Sequence, residues 1–159
     1  MVIGIAVSMG LLVYRSSRPN VARLVRTGEA GGVGVWADAS RHPELTPDPD
    51  VVVVRVESGL YFANADHVRS RIRSMLTPQT VAVVLDGETT PTIDVSAAEM
   101  LAQLARDLDR AGATLLVAHD IGQVRDVLDR TERAATRLFG TVDDAVAAAR
   151  AAAGTPPPA

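Results

Sequence analysis

An α/β fold is predicted by β-branched runs, by helical apolar stripes between them, and by Gly or Pro at the junctions. Val51–Val56, Val81–Leu85 and Thr114–Ala118 are the three runs, with Arg55 the only interruption in the first. Their apolar positions are continuous rather than alternating, the pattern of strands covered on both faces. Val33–Trp36 predicts a further short strand, and Arg41–Asp50, with Pro43, Pro47 and Pro49, predicts a loop.

The helices follow from spacing and caps. Val68, Ile72, Met75 and Leu76 share a face behind Asn64 as a cap, and Pro78 ends that segment. Met100, Leu101, Leu104 and Leu108 form a second stripe, closed by Gly112. Asp120 can cap a third helix that turns Val124, Val127 and Leu128 inward, and Thr141 with Asp144 starts a fourth. The tail Thr155–Ala159, TPPPA, is expected to be disordered.

Composition narrows the function. At 159 residues and 47% apolar content, with two Phe, one Trp and two Tyr, the chain suits one aliphatic-cored domain. A formal charge of -3 argues against a nucleic-acid partner, because phosphate binding needs surplus clustered cations. No cysteine is present, which excludes disulfides, thiolate metal sites and Cys nucleophiles. All sixteen basic residues are Arg, so the lysine of P-loop, kinase and Schiff-base chemistry is missing. His42, His67 and His119 have no ligand spacing, and neither G-x-S-x-G nor a defined carboxylate pair occurs. The expectation is therefore no metal and no enzyme.

Met1–Tyr14, MVIGIAVSMGLLVY, is uncharged, and Arg15, Arg18, Arg23 and Arg26 follow it. Spanning a bilayer takes about 20 apolar residues, and a basic flank marks the cytoplasmic side of a membrane helix. The segment reads as the last turns of a transmembrane helix cut from a longer protein. A secretory signal has the reverse order of charge and apolar core, and a core strand or helix is the other alternative. Residues 15–32, basic and then Gly-rich, read as a linker.

Val81–Leu101 carries the functional question: a strand runs through a polar loop into a helix with Ser96 at its mouth. Ser96 and Glu99 fit S-x-x-E, a capping box, which explains Ser96 as structure alone. The same mouth, with free N–H groups and a positive dipole end, suits an anion or a covalent phosphate, which Asp94 would oppose. Glu88, Thr89, Thr90 and Thr92 make the preceding loop oxygen-rich, as turn chemistry around Pro91 also would.

The basic exit Arg15-Ser16-Ser17-Arg18-Pro19, the segment Gly59-Leu60-Tyr61-Phe62-Ala63-Asn64-Ala65 and the strand-loop-helix through Ile93-Asp94-Val95-Ser96-Ala97-Ala98 resemble the carboxyl end of SulP-type sulfate permeases. In that family a cytoplasmic STAS domain, similar to bacterial anti-sigma-factor antagonists, follows the last membrane helix. The resemblance implies a mixed β-sheet of about four or five strands with four or so helices. It implies the organisation 1–14 membrane-helix end, 15–32 linker, 33–152 STAS domain and 153–159 tail. It implies a regulatory domain of an anion transporter on the cytoplasmic face of the inner membrane, with the transporter's own membrane domain, a second copy of the parent transporter and a regulatory protein as partners. The alternative is a free-standing antagonist-like protein switched by phosphate on Ser96. There the antagonist pattern has Gly where this chain has Ala97. GTP or another nucleotide is the implied regulatory ligand, with Asn64, Asp86, Thr89, Thr90, Asp94 and Ala97 as candidate contacts around Ser96.

Overall fold

In the computed structural model, residues 2–119 and 137–154 are described. In chain order the elements are α1 (Val2–Ser16), β1 (Val21–Ala30), β2 (Val33–Asp38), a short 3-10 turn (Ala39–Arg41), β3 (Val51–Val56), α2 (Phe62–Ser74), β4 (Ala82–Asp86), α3 (Val95–Arg110), β5 (Thr114–Ala118), β6 (Arg137–Phe139) and α4 (Val142–Ala153). The six strands form one mixed sheet in the order β2-β1-β3-β4-β5-β6. β3, β4, β5 and β6 are parallel, while β1 is antiparallel to both β3 and β2.

The valine-rich runs sort by parity. Val52, Val54 and Val56 of β3, with Val83, Leu85, Leu115 and Val117, face α2 and α3. Val51 and Val53, with Ala82, Val84 and Leu116, face α4 through Val142, Ala145, Val146 and Ala149. Both faces are covered, which is why the runs do not alternate. Val68 and Ile72 of α2 are fully buried, as are Leu101 and Leu104 of α3 or nearly so. Such side chains contribute roughly 1.5–3 kcal/mol each.

β1 corrects the expected linker over residues 15–32. Val21, Ala22, Leu24 and Val25 are buried in this strand, and Val21 pairs with Val56. Interspersed arginines hid the strand, because Arg23 sends its guanidinium to the Asp48 carbonyl at 2.7 Å instead of to bulk water. With β1 and the three-residue β6, the sheet has six strands rather than four or five. α4 starts as expected: the Thr141 hydroxyl accepts the Asp144 N–H at 3.1 Å. Asp143, in its first turn, then reaches the β-hairpin, accepting from the Gly34 N–H and from Trp36 Nε1 at 3.2 Å. An added Cβ at Gly34 would lie 2.5 Å from both Asp143 oxygens, so this approach needs glycine.

α1 leaves the domain beside the carboxyl end of β3. The Glu57 N–H binds the Asn20 carbonyl at 3.0 Å, and Asn20 Nδ2 donates to the Glu57 carboxylate at 3.0 Å. Ile5, Val7, Met9, Leu11 and Tyr14 of α1 are exposed. No helix among the described residues is long and apolar enough to cross a membrane. The expected helix behind Asp120 and the expected disordered tail lie outside the described residues.

Candidate functional site

Parallel strands put their carboxyl ends, and the amino ends of the following helices, on one edge of the sheet. On that edge the segments before α2 and α3 lie side by side. Leu60 and Ile93 form a parallel bridge: the Leu60 N–H binds the Thr92 carbonyl at 2.9 Å and the Asp94 N–H binds the Leu60 carbonyl at 3.0 Å. Tyr61 and Thr92 share a hydroxyl–hydroxyl bond of 2.7 Å. The Leu-Tyr-Phe-Ala-Asn and Ile-Asp-Val-Ser-Ala segments are thus one structural unit.

Asp94, not Ser96, caps α3. Its carboxylate accepts the Ala97 N–H at 2.8 Å and, from the other oxygen, the Phe62 N–H at 2.8 Å. Ser96 stands in the first turn, exposed, and its hydroxyl makes no hydrogen bond among the described residues. The expected Ser96–Glu99 capping box is therefore replaced by an Asp cap two residues earlier. An aspartate carboxylate is as good an N-cap as a serine hydroxyl and here also serves a second helix. The Val95 and Ser96 N–H groups have no acceptor among the described residues.

The other candidate contacts are engaged in the fold. Asn64 is fully buried and is not the cap of α2; from the first turn it accepts the Tyr61 N–H at 2.9 Å and donates to the Gly59 carbonyl at 2.9 Å. Both Thr89 and Thr90 hydroxyls donate to the Val56 carbonyl, at 3.0 and 3.3 Å. Ala97 is fully buried against the core. Of the seven residues, Ser96 alone combines exposure with an unengaged hydroxyl.

Asp86 anchors a second cluster on the same edge. Fully buried at the end of β4, it accepts from Arg55 Nε at 2.8 Å, from the Glu88 N–H at 3.0 Å and lies 3.0 Å from His119 Nδ1. Arg55 also binds Glu88 at 2.6 Å, so one guanidinium joins two carboxylates. His119 directly follows β5 with φ 52°, in the left-handed region that a side chain seldom occupies. Its chain runs close to Gly87, where an added Cβ would lie 2.9 Å from the His119 carbonyl. Sequence reading missed this cluster: His119 has no nearby partner in sequence, and the only signal was Arg55 interrupting an apolar strand. Ligand atoms of Asp86, Glu88 and His119 lie within 4.8 Å of one another, a separation a divalent ion could bridge. Arg55 already supplies the cation to both carboxylates. His42 is elsewhere, beside Glu44 at 3.0 Å, and His67 is on α2.

Three comparisons bear on this geometry. The family model described as STAS domain matches residues 42–145. Sulfate transporter 1.3 of Arabidopsis thaliana is 27% identical over 130 residues, which cover 75% of this chain and 19% of the transporter. High affinity sulfate transporter 1 of Stylosanthes hamata is 24% identical, covering 92% of this chain and 24% of that protein. This chain thus spans about a fifth to a quarter of the length of these curated relatives. In fold it is similar to the murine Solute Carrier 26 family member A9 anion transporter in the inward-facing state, with a TM-score of 0.77 and 19% identity over 94% of this chain and 25% of that one. It is also similar in fold to the anti-sigma factor antagonist SpoIIAA in its unphosphorylated form, with a TM-score of 0.56 and 14% identity over 71% of this chain and 96% of that one. With more than half its residues matched by the family model, and with the six-stranded mixed sheet in place, the chain belongs to the STAS domain family.

Proposed function

We propose that this chain is the regulatory domain of a membrane sulfate or related anion transporter, held on the cytoplasmic side against the transporter's membrane domain. The observation that carries this reading is the likeness in sequence, over three quarters of the chain or more, to proteins named as sulfate transporters. α1 supports it, because Ile5, Val7, Met9 and Leu11 are each more than half exposed and call for an apolar environment. The domain acts by binding rather than by turnover. It shifts the transporter between states by contacting them unequally.

Ser96 is the point at which that contact is controlled. A phosphate there adds about -1.5 to -2 charge at pH 7, beside the Asp94 carboxylate that holds α2 and α3 together. A regulatory nucleotide such as GTP would meet the Val95 and Ser96 N–H groups and the Ser96 hydroxyl, since the remaining candidates are engaged. Sulfate uptake by the transporter carrying this chain tests the reading, with the chain intact, deleted, or substituted Ser96→Glu or Ser96→Ala. Deletion should change uptake, and Ser96→Glu should change it where Ser96→Ala does not. Uptake indifferent to deletion would overturn the proposal.

The likeness in fold to SpoIIAA, with an exposed Ser96 hydroxyl that is unengaged among the described residues, favours a second reading: a phosphorylated switch that binds a regulatory protein. Phosphate transfer to Ser96 from ATP by an anti-sigma kinase, absent in Ser96→Ala, would support it.

A further inference from the structure

Phe62 is 78% exposed and Val95 61% exposed, and each is the first residue of its helix. The Asp94 carboxylate binds the Phe62 N–H and caps the helix that Val95 opens, so the two side chains belong to one surface. Tyr61, 41% exposed, adjoins them. These positions have no share in the core, because α2 packs through Ala65, Val68 and Ile72, and α3 through Ala97, Ala98 and Leu101. A bare phenylalanine on a helix end is the kind of aromatic anchor that protein interfaces bury.

Among the described residues, charge is segregated around this surface. Asp66 stands one turn along α2 from Phe62, Glu99 one turn along α3 from Val95, and Glu57 and Glu88 are exposed at the same edge. Arg55 is bound to Asp86 and Glu88, and Arg18 lies over the Tyr14 ring. The opposite halves of α2 and α3 carry Arg69, Arg71, Arg73, Arg106 and Arg110 against only Asp107 and Asp109. Anionic lipid headgroups are repelled by an acidic rim, whereas cytoplasmic loops of membrane proteins carry an excess of Lys and Arg. The surface also lies on the edge from which α1 departs, since Asn20 is bonded to Glu57.

We infer that Phe62 and Val95, with their acidic rim, dock a basic cytoplasmic loop of a membrane-spanning partner. This deepens the transporter reading and rests on it. The apolar pair enters a pocket between loop residues, and Asp66 and Glu99 pair with its Lys or Arg side chains.

The test uses the full chain, an amphipathic peptide of Leu and Arg, its Leu and Glu counterpart, and phosphatidylcholine vesicles with and without phosphatidylglycerol. The Leu/Arg peptide should bind, the Leu/Glu peptide should not, and added salt should weaken binding. Phe62→Gln with Val95→Gln should weaken it by about tenfold or more, and so should Asp66→Arg with Glu99→Arg. Circular dichroism of each variant should match the parent, because all four side chains are exposed. Equal affinity for both peptides, or unchanged affinity in the variants, would overturn the inference. Phe62-dependent binding to vesicles would assign the surface to lipid, and Phe62-dependent dimerisation in sedimentation would assign it to a second copy; either outcome also overturns it. A null result here together with uptake that still responds to chain deletion would reject this surface and leave the transporter reading standing.

Discussion

Asp94 holds Phe62 by its backbone N–H at 2.8 Å while its other carboxylate oxygen caps α3 through Ala97 at 2.8 Å. One side chain thus satisfies a helix-end donor on each of two helices and fixes their amino ends together. Loss of a cap costs about 0.5–2 kcal/mol, and Asp94→Ala removes two such bonds. Asp94→Ala should therefore lower unfolding stability in urea by about 2 kcal/mol, whereas Ser96→Ala should stay within about 0.5 kcal/mol of the parent. Equal losses in the two variants would return the cap to Ser96.

Asp86 presents a different balance. It is fully buried and receives Arg55, while Glu88, bound by the same Arg55 Nη2, is 57% exposed. Removing one partner of a buried pair is expensive because the other charge is stranded, at about 3–5 kcal/mol; the Arg55 side chain, 19% exposed, recovers part of its hydration. Asp86→Ala should destabilise by about 2–4 kcal/mol, and Glu88→Ala by less than about 1 kcal/mol. Urea denaturation of both variants at neutral pH decides it. Similar costs would mean that Arg55 is held by Glu88 as firmly as by Asp86.

The contrast between these residues explains what was legible in the sequence. β3, β4 and β5 were readable because each is a run of Val and Leu buried on both faces, and the inward stripe of α3 was readable because Met100, Leu101, Leu104 and Leu108 keep helical spacing. β1 was not, since Arg23 and Arg26 break its apolar pattern and find distant partners only in three dimensions, the Asp48 carbonyl for Arg23 and Asp143 for Arg26. The cap was misplaced because Asp94 and Ser96 both fit an N-cap and only the neighbouring α2, through Phe62, favours the earlier one. The His119–Asp86–Arg55 cluster joins three strand ends that are 31 and 33 residues apart in sequence, a proximity that no local pattern encodes.

Asp107 gives the domain a defined response to acid. It accepts from Gln103, Arg69, Arg73 and Arg110, tying α2 to α3. The Gln103 amide bond, then the Arg69 bond, and the attraction of Arg73 and Arg69 hold its carboxyl below the usual carboxylate range against the opposing effect of burial. A carboxyl depressed in the folded state stabilises above its unfolded value of about 4 and loses that contribution as pH falls through the folded value. Asp107→Asn should thus be less stable than the parent at pH 7, and the gap should close as the pH drops below about 4. A gap of constant size across that range would mean that the four donors stabilise the neutral side chain as well as the charged one.

α1 is separable from the domain on physical grounds. Its exposed Ile5, Val7, Met9 and Leu11 bury little against the sheet, while the first strand is fixed independently by Val21 opposite Val56 and by the Asn20–Glu57 bonds. Deleting residues 1–16 should leave the unfolding free energy within about 0.5 kcal/mol of the parent and should reduce association at high concentration, because it removes the exposed apolar side chains of Ile5, Val7, Met9 and Leu11. Sedimentation and urea denaturation of the shortened chain measure the two effects separately. A large loss of stability would instead make α1 part of the core, and the exposed side chains of Ile5 and Met9 would then need a partner within the domain.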